Sequence, residues 1–228
     1  MIFVTGDTHG QADFDKLLRF ARENPNLTLN DFVVITGDFS AIWDKNTLER
    51  DLQPYRELPF TVLFADGNHE NFDILNSYPE EVWRGGKVHK IAPNIIHLMR
   101  GQVFELESIK IFVFGGAASI DKEVRTESVD WWRQEQPTKE ELEEGLRNLK
   151  RHGCKVDYII THTCCERALR YPPLNMPEMQ MKTFPANILL SEFDKTVEFK
   201  HWYFGHYHFD GEPTDDMTVI YQKIIRLA

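Results

Sequence analysis

Asparagine, aspartate and histidine recur in this chain in five short clusters: Gly6-Asp7-Thr8-His9-Gly10, Gly37-Asp38, Gly67-Asn68-His69-Glu70, Thr161-His162 and Gly205-His206-Tyr207-His208. Carboxylate, imidazole and amide donors of this kind suit a pair of divalent transition-metal ions. Two such ions lower the pKa of a shared water and clamp a phosphoryl group, so the chemistry in prospect is two-metal hydrolysis. Each cluster alone is a weak signal, because an Asp or Asn after Gly is usually a turn residue and a lone His is usually solvated or hydrogen-bonded. Jointly they say more, since every cluster follows an apolar run.

Those runs are the elements that must position the donors. Ile2 to Thr5 reads as a strand ending at Gly6, and Asp13 to Arg22 carries Phe14, Leu17, Leu18 and Ala21 at helical spacing. Asp31 to Thr36 and Phe60 to Ala65 are two more apolar strands, with a helix at Thr47 to Arg56 between them. The first seventy or so residues are therefore β-α-β-α-β, which implies parallel neighbours buried on both faces and joined by right-handed crossovers. In such sheets ligands gather at the carboxyl ends of the strands. Asp7, Asp38 and Asn68 are spaced about 30 residues apart, the length of one βαβ unit, so successive units deliver one donor each to the same rim.

Further along, Lys87 to Ile91, Asn94 to Met99, Gln102 to Leu106 and Ile109 to Phe114 lack helical spacing and read as hairpins. Thr138 to His152 is a helix with Thr138 and Glu141 in capping-box register and Gly153 past its end. Val156 to Thr161 is a buried strand, followed by a helix near Cys164 to Arg170 and a long Pro- and Met-rich loop from Pro172 to Pro185. Ala186 to Val197 is a helix and Lys200 to Phe204 a strand into the last cluster. Met217 to Tyr221 and Lys223 to Leu227 form a closing hairpin.

Bulk properties set limits. With 228 residues, 42% of them hydrophobic, one domain spanning 1–228 is expected. A formal charge of −10 disfavours a broad nucleic-acid or anionic-membrane surface, although bound cations would reverse the sign locally. The start runs straight into the first cluster, leaving no room for a signal peptide, and no apolar stretch approaches the roughly 18 residues of a membrane span. Three cysteines, Cys154, Cys164 and Cys165, make a poor disulfide framework, so a reducing cytoplasm is expected. No base is marked beside Cys164 or Cys165, and inert thiols are the commoner case.

As a set, the five clusters resemble the motifs of the calcineurin-like metallophosphoesterase superfamily, from residue 6 to residue 208. The resemblance implies an α/β fold, a four-layer αββα sandwich with two central mixed β-sheets. It implies that Asp7, His9 and His208 bind one metal, Asn68, His162 and His206 a second, and that Asp38 bridges them. His69 would be the general acid toward the leaving group while a bridging hydroxide attacks phosphorus in line. The opening Gly-Asp-Thr-His-Gly-Gln and the Gly-Asn-His-Glu resemble the serine/threonine phosphoprotein phosphatase branch, but Ala41 and Ile42 stand where that branch carries an Asp and an Arg. The His206-Tyr207-His208 pair resembles small bacterial phosphoesterases and nucleases instead.

Arg125, in the loop after Phe114, is a candidate bidentate phosphate contact in place of the missing arginine; a solvated loop arginine is the plainer reading. Trp43, Trp131 and Trp132 would stack on a base or serve as core anchors. His89, His97, His152 and His201 lack a strand-end setting, while Asp210 and Glu212 are candidate partners for a ligating His. The expected cofactors are two divalent transition-metal ions, Mn foremost, with Fe, Zn, Co or Ni tolerated by the same donors. The expected substrate is a phosphorylated small molecule or nucleotide. The rival readings are a phosphodiesterase or nuclease acting on short nucleic acid, and a noncatalytic scaffold, which would usually have lost ligands or the histidine.

Overall fold

The structure is a computed structural model that describes residues 1–171, 174 and 184–228, so most of the expected 172–185 loop lies outside the described residues. Three apolar strands, β1 (Ile2–Thr5), β2 (Phe32–Ile35) and β3 (Thr61–Phe64), are buried along their whole length. They pair in parallel, Thr5 opposite Ile35 and Ile35 opposite Phe64. Because they end in register, the segments leaving them emerge side by side. The crossovers carry α1 (Asp15–Glu23) and α2 (Leu48–Arg56), and α3 (Phe72–Leu75) follows β3.

The sheet is completed by a meander, β4 (Glu80–Trp83), β5 (Gly86–Ala92) and β6 (Ile95–Leu98), with β6 parallel to β3. The second sheet begins with the β7 (Gln102–Leu106) and β8 (Ile109–Phe114) hairpin. After α4 (Lys139–Arg151) it adds β9 (Tyr158–Thr161); after α5 (Pro185–Thr196) come β10 (His201–Phe204), β11 (Gly211–Thr214) and β12 (Met217–Val219). A last strand, β13 (Ile224–Arg226), returns to the first sheet antiparallel to β1. The orders are β13-β1-β2-β3-β6-β5-β4 and β11-β12-β10-β9-β8-β7, both mixed.

Strand alternation sorts the apolar side chains into three layers. Ile2, Val4, Phe32, Val34 and Leu63 meet Phe104, Val113 and Ile160 between the sheets. Phe3, Val33, Ile35, Val62 and Phe64 face Leu17, Leu52, Tyr55 and Leu75 of the first three helices. Phe112, Phe114 and Trp202 face Leu149 of α4 and Leu190 and Phe193 of α5. Helix, sheet, sheet, helix is the αββα sandwich. Each fully buried Leu, Ile or Phe contributes about 1.5–3 kcal/mol, enough to fix which face every strand presents.

Two expectations are corrected. The closing segments do not pair with each other: Met217–Val219 joins the second sheet beside β10 and Ile224–Arg226 the first beside β1. Between them the chain crosses from sheet to sheet against Gly6, where a Cβ would collide with the Ile220 carbonyl. The Lys16 ammonium, buried, anchors that crossing by donating to the carbonyls of Gly6 (3.0 Å), Asp7 (2.6 Å) and Tyr221 (2.5 Å). Nor is there a helix from Cys164 to Arg170, only a single turn at Ala168–Arg170. The backbone there is engaged elsewhere: Asn187 donates to the Cys164 carbonyl (2.7 Å) and Thr161 to the Thr163 carbonyl (2.6 Å), which displaces helical pairing. Among the described residues, no helix is long and apolar enough to cross a membrane.

Candidate metal centre

The ends of β1, β2, β3, β9 and β10 converge on one rim where the two sheets meet. Asp7 leaves β1 fully buried, and both its carboxylate oxygens accept the His206 backbone N–H at 3.1 Å, which joins the two sheets. Asp38, after β2, accepts the His69 backbone N–H at 2.8 Å. Around Asp7 and Asp38, donor atoms of His9 and His208 complete a group whose four atoms all lie within 4.8 Å of one another. His9 Nε2 is 3.4 Å from Asp38, and His208 Nε2 is 3.3 Å from Asp7.

A second group shares Asp38. His162 Nε2 lies 3.3 Å from Asp38 and 3.1 Å from Asn68 Oδ1, and the His206 ring sits 5.0 Å from the His162 ring. All seven residues named from the sequence are thus brought together, four around Asp7 and Asp38 and three more beyond Asp38. His69 lies at the edge of the site, its ring 5.7 Å from that of His9 and 6.4 Å from Trp43.

The arrangement is costly without a cation, and the costs indicate what fits it. Asp7 and Asp38 are buried carboxylates, opposed by burial yet held below their ordinary pKa by the surrounding histidines. Burial disfavours charge on His9 too, but Asp38 and Asp13 outweigh it and hold its pKa at about 9. Burial and the neighbouring His162 push His206 down to about 3. His162 Nδ1 is buried with no hydrogen-bond partner among the described residues. His9, Asp38, His206 and His208 all have positive φ, 44°, 48°, 73° and 53°, each such residue costing on the order of 1 kcal/mol. Positive φ at these four residues, an orphaned imidazole nitrogen and a mixed N/O donor set fit divalent cations.

Two glycines make the close approach possible: a Cβ on Gly37 would strike the His162 ring, and one on Gly67 would strike Asp38. Both hold ligands against backbone, as strand-end turns beside an ion require.

Several supporting residues were not legible as such. Asp13 accepts from His9 Nδ1 at 2.7 Å and from the Tyr221 hydroxyl at 2.7 Å, and the Tyr221 ring stacks on His208 at 5.1 Å. Glu70, fully buried, accepts the N–H groups of Phe39 (2.7 Å) and Ser40 (3.1 Å), fixing the loop that bears Asp38. Burial and the nearby Asp38 charge raise its pKa well above normal. The spacing of Asp13, four residues after His9, was the available signal for one; nothing in the sequence marks Tyr221.

The remaining candidates fall into place. Arg125 Nε pairs with Asp121 at 2.8 Å and Nη1 donates to the Asp130 carbonyl at 3.1 Å, near enough to His69 to help burial lower its pKa. Trp132 is buried and donates to Asp73 at 2.9 Å, a core anchor, while Trp43 packs on it edge-on at 5.3 Å and reaches toward His69. Asp210 caps the crossing backbone, accepting from Tyr221 at 2.8 Å, and so supports the residue that stacks on His208. Cys164 and Cys165 are buried with raised pKa values, Cys165 to about 11, so neither is a thiolate nucleophile.

Fold and site together define an αββα sandwich with a possible metal-binding group at the strand ends where its two sheets meet. The profile of the calcineurin-like phosphoesterases matches residues 1–210, and the chain belongs to that family. A solved phosphopantetheinyl hydrolase from Mycobacterium tuberculosis is similar at 15% identity over 97% of this chain and 89% of that chain, with a TM-score of 0.45. No curated protein matches.

Proposed function

We propose that this chain is a metal-dependent phosphoester hydrolase whose site takes two divalent cations. Asp7, His9 and His208 would hold one, Asn68, His162 and His206 the other, with Asp38 between. When bound, such ions supply an activated water and neutralise charge developing on phosphorus. The observation that carries the reading is the pair of donor groups meeting at one buried carboxylate, Asp38, within reach of His9 and His162 alike.

His69 is proposed as the general acid toward the leaving group. Its backbone is pinned to Asp38 while its ring lies near those of His9 and Trp43. Burial lowers its pKa, and a phosphate anion bound beside it opposes that shift, supporting protonation at the moment it is needed. Arg125 is proposed as a substrate contact, released from Asp121 to a phosphate oxygen. Residues 1–228 are proposed as one domain, acting in the cytoplasm on a phosphorylated small molecule or nucleotide with Mn²⁺ as the working metal.

The test is hydrolysis of p-nitrophenyl phosphate and bis-p-nitrophenyl phosphate by metal-stripped protein, with and without added Mn²⁺. Turnover that appears with Mn²⁺ and vanishes with chelator is expected, and the ratio of the two substrates separates monoesterase from diesterase. Absence of turnover with either ester under full Mn²⁺ loading would remove the enzymatic reading and leave the scaffold.

A further inference from the structure

Asn68 is the one amide among the proposed ligands, and an amide can present the wrong atom. Its amide carries an oxygen that can face a cation and an NH₂ that cannot, and the two ends have nearly the same shape. In the structure Oδ1 faces His162 Nε2 at 3.1 Å and Nδ2 faces Ser119 Oγ at 3.3 Å. A serine hydroxyl both donates and accepts, so Ser119 alone does not decide which end of the amide it receives.

Glu135 decides it. Its carboxylate takes both donors of Ser119: Oε2 accepts the hydroxyl at 2.6 Å and Oε1 accepts the backbone N–H at 2.8 Å. With its proton committed to Glu135, Ser119 Oγ is left as an acceptor toward Asn68, and only the NH₂ end satisfies it. The relay therefore has one direction, from Asn68 NH₂ to Ser119 to the carboxylate, with Oδ1 left pointing at the site. Asn68, Ser119 and Glu135 are all buried, at 6%, 3% and 1% exposure, so water does not compete for these bonds.

The environment of Glu135 gives a second, independent reason. Among the described residues no lysine, arginine or histidine forms an ion pair with its carboxylate. Arg133, two residues earlier, pairs with Glu127 (2.6 Å), and Arg100 holds the Gln134 carbonyl (2.8 Å) and the Glu135 carbonyl (3.4 Å) rather than the carboxylate. A buried carboxylate without a cationic partner is expensive unless positive charge sits nearby. A cation on the far side of Asn68 supplies that charge, and three of the four ligands proposed there, Asn68, His162 and His206, are neutral. Outer carboxylates serve metal-bound histidines in the same way, orienting the ligand and raising its basicity.

Resting on the two-cation reading above, we propose that Glu135, acting through Ser119, is a positioning residue that fixes the Asn68 amide with its oxygen toward the second cation. Glu135→Gln puts an NH₂ group where an acceptor stood, which turns the Ser119 hydroxyl around and favours the flipped amide. Ser119→Ala removes the acceptor for the NH₂ end, and Ser119→Thr keeps it.

The experiment is calorimetric titration of the metal-stripped full chain with MnCl₂, with electron paramagnetic resonance of the loaded proteins to detect coupled Mn²⁺ pairs, and apo Tm measured alongside. Ser119→Ala and Glu135→Gln are expected to weaken one of two Mn²⁺ sites roughly 10- to 100-fold and to diminish the coupled-pair signal. The other site and the apo Tm should stay as in wild type, Ser119→Thr should behave as wild type, and the double variant should be no weaker than either single one. Wild-type binding of two ions by both variants would overturn the inference while leaving the two-cation reading intact. Equal weakening of both sites together with a lower apo Tm would also overturn it, since that is a merely structural role. Failure of the wild type itself to bind a second Mn²⁺ would remove the two-cation reading, and the inference with it.

Discussion

His69 carries the sharpest question at the scale of single residues, because its neighbours differ from those the sequence comparison implied. Ala41 and Ile42, at the places where the phosphoprotein phosphatase branch has an Asp and an Arg, are fully buried in the core beneath the helices. Neither apolar side chain carries a group that could hydrogen-bond the ring. The His69 backbone is held by its bond to Asp38, and Trp43 and His9 flank the imidazole. Such packing restrains the ring without committing either nitrogen among the described residues, as the proposed general-acid role would require. His69→Asn is therefore expected to bind Mn²⁺ with wild-type stoichiometry and to lose about 10²- to 10⁴-fold in kcat, the usual worth of a positioned general acid. The loss should shrink for p-nitrophenyl esters, whose leaving group needs little protonation, relative to alkyl phosphates. Equal kcat for wild type and variant on an alkyl phosphate would take His69 out of the chemistry.

Elements explain why so much of the rim was legible. A strand buried on both faces writes an unbroken apolar run into the sequence, and the residue that ends the run is the one that reaches the rim; Asp7, Asp38, Asn68, His162 and His206 were found that way. The edges were not legible. β4 is Glu-Glu-Val-Trp with alternate residues exposed, and β11 contains Pro213, so neither carries a buried-strand pattern. Partners such as Glu135 for Ser119, or Tyr221 for Asp13, depend on loops meeting across the fold, and no local periodicity encodes that. The same holds for the clamp below β3. Asp66 is buried one residue before Gly67, and burial is outweighed there by Arg100, which holds its carboxyl well below the usual range. Arg100 donates to Asp66 at 2.8 and 2.5 Å and to Glu141 of α4 at 3.2 Å, tying the end of β3 to the second helical layer. Arg100→Met leaves the buried Asp66 carboxylate with only His97, at 3.2 Å, beside it and is expected to destabilise the fold by about 3 kcal/mol in urea unfolding. Adding Asp66→Asn should recover part of that loss. A single variant within about 0.5 kcal/mol of wild type would show that the pair contributes nothing net.

At the scale of the whole molecule, the −10 formal charge and the buried histidines act on stability through different ranges of pH. Net negative charge diminishes as carboxylates protonate, which relieves self-repulsion in acid. Buried histidines work the other way. His89 and His97 face each other across β5 and β6, their Nδ1 atoms 3.1 Å apart, and burial together with His97 pushes His89 down to about 4. The unfolded chain takes up a proton at this residue near pH 6.5, whereas the folded chain resists until about 4. Its contribution to stability is thus fully present above 6.5 and is lost progressively as pH falls toward 4, by up to ~1.4 kcal/mol per pH unit. The pair lies outside the metal centre, so this loss should occur with Mn²⁺ or with chelator present. The metal-dependent part has its own pH range, because the proposed ligands must be deprotonated to bind, and Mn²⁺ should raise Tm at pH 7 and cease to do so near pH 4. Replacing His89 separates the two effects. In chelator, His89→Leu should flatten the decline in unfolding free energy between pH 6.5 and 4, and in Mn²⁺ it should leave the metal-induced rise in Tm at pH 7 unchanged. An acid slope as steep in the variant as in wild type would place the proton uptake elsewhere, on groups that the β5–β6 pair does not control.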